Sequence, residues 1–122
     1  MIDLIDKPGR APLTIVQGAC LDIPIFLTND DGTIINLTGY TAYCQGREQI
    51  DSAVLLFDLK TSNGSITIDG PAGKVTLLFT AAMTDAVNRP GLYDLFLVQP
   101  GGCPIKILEG PVLLNHNVTV IV

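Results

Sequence analysis

The chain has 122 residues, a length that favours one domain with a substantial core and is too short for two. Hydrophobic residues make up 48% and charged residues only 16%, below the roughly 25% of average soluble proteins, so we expect the apolar excess to form a core, to contact protein partners, or both. The net charge of −5, with its Lys and Arg scattered singly, argues against nucleic acid as a partner, and the sequence predicts neither a membrane span nor a signal peptide.

The first twelve residues differ in pattern from the rest of the chain. Ile2, Leu4 and Ile5 alternate with acidic residues, and a segment with two prolines and a glycine follows. We therefore expect residues 1–12 to form an N-terminal arm that can add a strand to the edge of a neighbouring subunit. Residues 13–122 are expected to form a single β-sandwich domain.

Twelve glycines and eight prolines separate short apolar runs at intervals of about ten residues, a spacing typical of an all-β sandwich or barrel. A further run at residues 33–37 follows an Asn-Asp-Asp-Gly turn, and residues 112–122 are expected to end the chain in a strand of their own. The other runs lie at residues 13–17, 20–28, 41–47, 54–59, 65–69, 74–80, 92–99 and 103–108, and from the runs together we expect a fold of about eight strands.

Alternation within these runs assigns side chains to faces. In residues 41–47, Ala42, Cys44 and Gly46 share the small apolar side, so Tyr43 is expected to face outward. Pro24 cannot donate a hydrogen bond to a neighbouring strand, which predicts an edge strand or a bulge there.

The nearly continuous apolar run at residues 54–59 predicts a strand that is covered on both faces or that lies at an interface.

Residues 80–87 are the one helix-like stretch, with Thr80 or Thr84 available as N-cap. An immunoglobulin-like two-sheet β-sandwich with one short helical turn is the fold class that we predict, because every alternating face can then meet another across a shared core. A small closed barrel is the alternative.

Few residues suggest catalysis or metal binding. The only histidine, His116, would need an orienting carboxylate and a nucleophile, and Asp30 and Asp31 lack the ligand pattern of a calcium loop. Tyr40, Tyr43 and Tyr93 are candidates for a sugar platform, although Tyr40 and Tyr93 fit the rim of a core better. We expect no enzyme activity, no cofactor and no metal site.

Three cysteines, Cys20, Cys44 and Cys103, form neither a paired disulfide framework nor a zinc spacing. We expect them to be reduced thiols with a mainly structural role in a chain that folds inside a cell.

Several apolar side chains fall on the outward side of predicted strands, and a group of such residues on one sheet would form an interface. The alternative is that the short helix or the N-terminal segment covers them. With the arm, the candidate interface residues are Ile2, Leu4, Ile5, Phe26, Tyr43, Leu78, Phe96 and Val98.

The order of several short segments resembles small structural proteins of tailed phages and prophages, over residues 13 to about 120. Similar to that family are LTIVQG at 13–18, DG at 31–32, INLTGYTA at 35–42, TSNGSITI at 61–68, GKV at 73–75 and GLYDL at 91–95. The family looks like the immunoglobulin-like domain that begins some phage baseplate upper proteins, with related domains in tail fibres and other virion components.

The resemblance implies an assembly role in a virion, built in the cytoplasm of a host bacterium. The expected partners are other virion proteins and further copies of this chain, in a baseplate, a tail-fibre adaptor or a head decoration. A second hypothesis is a carbohydrate-binding module on a virion surface, which would require aromatic and carboxylate side chains together in a groove.

Overall fold

Two β-sheets pack face to face in the computed structural model, which describes residues 9–29 and 31–116. A short helix, α1 (Ala81–Ala86), and a 3-10 turn at Thr61–Asn63 complete the architecture. The strands are β1 (Gly9–Arg10), β2 (Leu13–Val16), β3 (Leu21–Phe26), β4 (Thr41–Arg47), β5 (Leu55–Lys60), β6 (Ile66–Asp69), β7 (Lys74–Phe79), β8 (Gly91–Val98) and β9 (Pro104–Asn115).

The strand order is that of an immunoglobulin-like domain. One sheet runs β1-β9-β8-β4-β5, with β2 also paired to β9, and the other runs β3-β7-β6. Within them, β9-β8-β4-β5 correspond to the G-F-C-C′ strands of that fold and β3-β7-β6 to its B-E-D strands. The predicted all-β two-sheet sandwich is therefore confirmed, and the closed barrel is wrong for the part of the chain that the structure describes.

Period-two alternation builds the core between the sheets. Ala42 and Cys44 of β4, Leu95 and Leu97 of β8 and Leu77 of β7 are buried, as their positions in the alternation require. At the end of β7 the chain enters α1, where the Thr80 hydroxyl accepts a hydrogen bond from the Met83 N–H at 3.2 Å. This capping bond confirms Thr80 as the N-cap of the predicted helical turn.

The C-terminal part of the sheet differs from the prediction. We expected separate strands at residues 103–108 and 112–122, but β9 continues through Gly110 and Pro111 as one strand. Its first half pairs with β1 and its second half with β2, so the chain changes partner without ending the strand.

The expected strand at residues 33–37 is also wrong. It is reduced to an isolated bridge between Thr28 and Ile34, and the Leu37 N–H donates to the Gly70 carbonyl in a turn.

The N-terminal arm was expected to include residues 1–12, but its last residues belong to the sandwich. Gly9 and Arg10 pair in parallel with β9, and the Ala11 N–H donates to the Glu109 carbonyl at 3.0 Å. The Tyr93 hydroxyl, at the start of β8, donates to the Ala11 carbonyl at 2.8 Å. Residues 1–8, with Ile2, Leu4 and Ile5, lie outside the described residues.

Two edge strands bear on the sequence predictions. Pro24 lies in β3, an edge of the three-stranded sheet, as its missing N–H predicts. The apolar run at residues 54–59 lies mostly in β5, an edge of the six-stranded sheet, where Phe57 and Leu59 are buried. Val54, just before β5, is 66% exposed. The expectation that this run is covered on both faces is wrong for the isolated chain, because Val54 and Leu55 face solvent; its location at an interface stays a prediction.

Gly110 of β9 lies against Ala11, in the segment that joins β1 to β2. A glycine is required there, because a Cβ would lie 2.1 Å from the Ala11 carbonyl oxygen. We expect Gly110→Ala to lower the free energy of unfolding by about 1–3 kcal/mol, the usual cost of overpacking a tight site. Gly101→Ala is the matched control, since a Cβ at that position would have no atom within 4 Å and the φ of Gly101 is not positive. Urea unfolding measures both, and equal stabilities would contradict the close approach.

Candidate protein-docking surface

The outward side of the six-stranded sheet carries two adjacent rows of side chains that cross its strands. We call the outward-facing residues of β5, β4, β8 and β9 the outer face. The pairing registers place their side chains opposite one another from strand to strand. The aromatic row is Lys60, Tyr43, Phe96 and Lys106, and the acidic row is Asp58, Gln45, Asp94 and Glu109.

The aromatic row places two rings side by side with a cation at each end. Tyr43 is directly opposite Phe96, and Tyr43 remains 45% exposed while Phe96 is partly buried. The Lys106 ammonium lies 5.7 Å from the centre of the Phe96 ring, within the range of a cation–π contact. Val98 lies two residues beyond Phe96 on the same side of β8. Tyr43, Phe96 and Val98, three of the candidate interface residues, therefore lie together in one apolar patch.

The acidic row is linked to the aromatic row by ion pairs. Lys106 Nζ lies 3.4 Å from a Glu109 carboxylate oxygen and 3.7 Å from one of Asp94, and Lys60 Nζ lies 3.8 Å from one of Asp58. All five side chains are 30–40% exposed, so these pairs contribute little to the stability of the fold. Their charges remain available to a partner.

A groove of about 740 Å³ follows this face across β4, β8 and β9. The patch lines this groove together with Gln45, Asp94, Arg10 and Ile50. Ile50 is 85% exposed in the loop after β4. Apolar, acidic and basic groups thus lie within one open concavity.

The remaining candidate interface residues do not join this patch. Phe26, 48% exposed, and Leu78 lie on the outward side of the three-stranded sheet, on the opposite side of the sandwich. The Lys74 ammonium lies 5.9 Å from the centre of the Phe26 ring. The described candidates therefore divide into three on the outer face and two on the opposite one, because β3 and β7 belong to a different sheet from β4 and β8.

Sequence reasoning missed two apolar contributors to the outer face. Leu92 faces outward on β8 at the alternation position before Asp94, and Ile50 follows β4 in the loop. The alternation of β8 contained the signal for Leu92, since it lies on the same side as Phe96 and Val98. Ile50 lies in a loop, where the sequence has no alternation that indicates which way a side chain points.

The other residues singled out in the sequence lie apart from one another. Tyr93 is buried, Tyr40 is partly buried, and of the three tyrosines only Tyr43 is on the outer face. Burial raises the pKa of the Tyr93 hydroxyl to about 12. His116 is exposed just after β9. A platform of three tyrosines is therefore not formed.

Asp31 belongs to a turn. Its carboxylate accepts hydrogen bonds from the Thr33 hydroxyl at 2.6 Å and from the Thr33 N–H at 2.9 Å, and these bonds lower the pKa of Asp31.

In residues 9–29 and 31–116, no group of three His, Cys, Asp or Glu side chains has an arrangement that could hold a metal ion. No helix of the same residues is long and apolar enough to cross a membrane.

Neither of two comparisons with known proteins identified a relative: no protein-family model matches the chain, and no curated protein sequence does.

Cys44 is fully buried on the inward side of β4, whereas Cys20 and Cys103 are exposed, and all three are free thiols. Burial, with smaller contributions from Asp94 and Asp58, raises the pKa of the Cys44 thiol far above its usual range. Only the thiolate reacts with disulfide reagents, so Cys44 should stay protonated and protected at pH 8.

A thiol count with a chromogenic disulfide reagent tests this placement. We expect two thiols to react quickly in the folded protein at pH 8 and the third to react only after denaturant is added. Cys44→Ala should remove the slow thiol and leave the fast two unchanged. Three fast thiols in the folded protein would contradict the inward direction of Cys44 and, with it, the register of β4.

Proposed function

We propose that this chain is a structural protein of a tailed-phage or prophage particle that acts by docking to other virion proteins and to copies of itself. The observation that carries the proposal is the patch of Tyr43, Phe96 and Val98 on the outer face. Its side chains lie together on the sheet and remain accessible within an open groove. Grouped apolar residues of this kind mark interaction sites in soluble proteins.

Two further features support an assembly role. An immunoglobulin-like sandwich presents the outer face as one broad surface to a neighbour, and the segments from LTIVQG to GLYDL resemble virion domains of this type. That Ile2, Leu4 and Ile5 belong to an arm that adds a strand to the sheet edge of a neighbouring subunit stays a prediction. Pro24 deprives the β3 edge of one backbone N–H, so β3 is a poor partner for an added strand. The β5 and β6 edges are favoured for such pairing.

The proposal places the chain in the virion, assembled in the cytoplasm of a host bacterium, as a baseplate, tail-fibre adaptor or head-decoration protein. It assigns the chain no reaction, no cofactor, and neither nucleic acid nor membrane as a partner. The affinity for virion partners would come from the apolar patch, since exposed ion pairs contribute mainly to orientation and association rate.

A carbohydrate-binding role is the second candidate, and the groove is the observation that favours it. Tyr43 and Phe96 lie beside Asp94 and Glu109 there, which is the combination of rings and carboxylates that sugar binding requires. Two contacts weigh against it. The Lys106 ammonium lies near the Phe96 ring, and the same ammonium pairs with both carboxylates.

Purified particles from a host that carries the gene test the proposal. We expect mass spectrometry to find the chain as a stoichiometric component and labelled antibody to place it at fixed positions by electron microscopy. In particles complemented with variants, Phe96→Asp should reduce incorporation at least about tenfold, since burying an unpaired carboxylate at an interface costs several kcal/mol.

Phe26→Asp is the matched control, because it introduces the same charge in place of an aromatic ring that also lies beside a lysine, on the opposite sheet. It should be incorporated normally. Particles that lack the chain would overturn the proposal. Equal incorporation of both variants would show that the outer face is not the docking surface. A glycan array in which wild type binds and Tyr43→Ala does not would favour the second candidate.

A further inference from the structure

The two rows of the outer face make it complementary to itself. Lys60 and Lys106 lie at the two ends of the aromatic row, and the next row along the strands contains Asp58, Asp94 and Glu109. Bands of opposite charge thus lie side by side on one surface. Two identical subunits related by a two-fold axis contact each other through the same surface, so that surface must be complementary to itself. Adjacent bands of opposite charge meet this requirement.

We propose that the outer face binds the outer face of a second copy of this chain, with the two-fold axis lying along the rows and between them. A rotation of 180° about that axis exchanges the two rows. The aromatic row of one copy then faces the acidic row of the other, and the strands of the two sheets run antiparallel. This inference rests on the proposed self-association and names its partner and geometry.

The charges that meet in this arrangement are of opposite sign at both ends of the rows. Lys60 of one copy faces Asp58 of the other, and Lys106 faces the region of Asp94 and Glu109. In the centre, Tyr43 and Phe96 of one copy face Gln45 and Asp94 of the other. A two-fold axis along the strands would instead place each row over the same row of the second copy. Lysine would then face lysine and carboxylate would face carboxylate, so the charges favour the axis along the rows.

The shape of the sheet is compatible with the same axis. A twisted sheet is a saddle that is concave along one diagonal and convex along the other. When two identical saddles are related by a two-fold axis along the rows, the concave diagonal of one faces the convex diagonal of the other. The partner's convex diagonal then approaches the side of the sheet that contains the groove across β4, β8 and β9.

The size of the face sets the expected affinity. Four strands and four outward positions per strand give a footprint of roughly 500 Å² per copy, from strand spacings of about 4.8 Å and residue rises of about 3.3 Å. Stable complexes bury about 800 Å² per partner. We therefore expect a weak, concentration-dependent dimer that an assembly with many contacts would reinforce.

Paired charge reversals test the geometry. The double variant Lys60→Glu/Lys106→Glu gives two acidic rows, and Asp58→Lys/Glu109→Lys makes both ends of the other row basic. Each should raise the dissociation constant of its own dimer at least about tenfold, because like charges then meet. An equimolar mixture should dimerise again, since every acidic row finds a basic one, and this rescue also shows that both variants are folded.

Sedimentation velocity from low micromolar to near-millimolar concentration measures these masses. Lys74→Glu, the same change beside Phe26 on the opposite sheet, is the matched control and should dimerise as wild type does. The inference is overturned if wild type stays monomeric throughout, if the two double variants dimerise as well as wild type, or if mixing restores nothing. The composition of purified particles decides the proposed function separately, since a monomer that is incorporated into virions would refute only this pairing.

Discussion

The pairing of β4 with β8 is the constraint on which the rest of the structure depends. It places Cys44 beside Leu95 in the core and Tyr43 beside Phe96 on the outside, in one register. A slip of one residue would exchange these sets, exposing the core residues and burying the polar ones, so burial on one side holds the register. The composition of the outer face thus follows from the packing of the inner one.

A second constraint fixes how the N-terminal strands reach the same sheet. The Ala11 carbonyl accepts a hydrogen bond from the Tyr93 hydroxyl and lies against Gly110, which has no side chain to block the approach. This contact joins the segment between β1 and β2 to the start of β8 and to β9. Arg10 therefore stands beside Glu109 at the border of the outer face, with 3.4 Å between the charged groups.

The sequence predicted the fold class and most side-chain directions, because alternation and turn residues are local signals. The N-cap of α1 and the inward position of Cys44 were found in this way. The continuity of β9 was missed, because Gly110 and Pro111 look like a turn until two different strands are known to pair on either side of them. The division of Phe26 and Phe96 between opposite faces was also out of reach, since alternation assigns a side of a strand and does not say which sheet contains it.

We propose that the outer face, and not the opposite sheet, mediates the self-association of this chain. Two-dimensional NMR spectra recorded at increasing protein concentration test it residue by residue. We expect concentration-dependent shifts at Tyr43, Gln45, Asp94 and Phe96, with little change at Phe26 and Leu78. Shifts confined to Phe26, Leu78 and their neighbours on β3 and β7, or spectra independent of concentration, would contradict it.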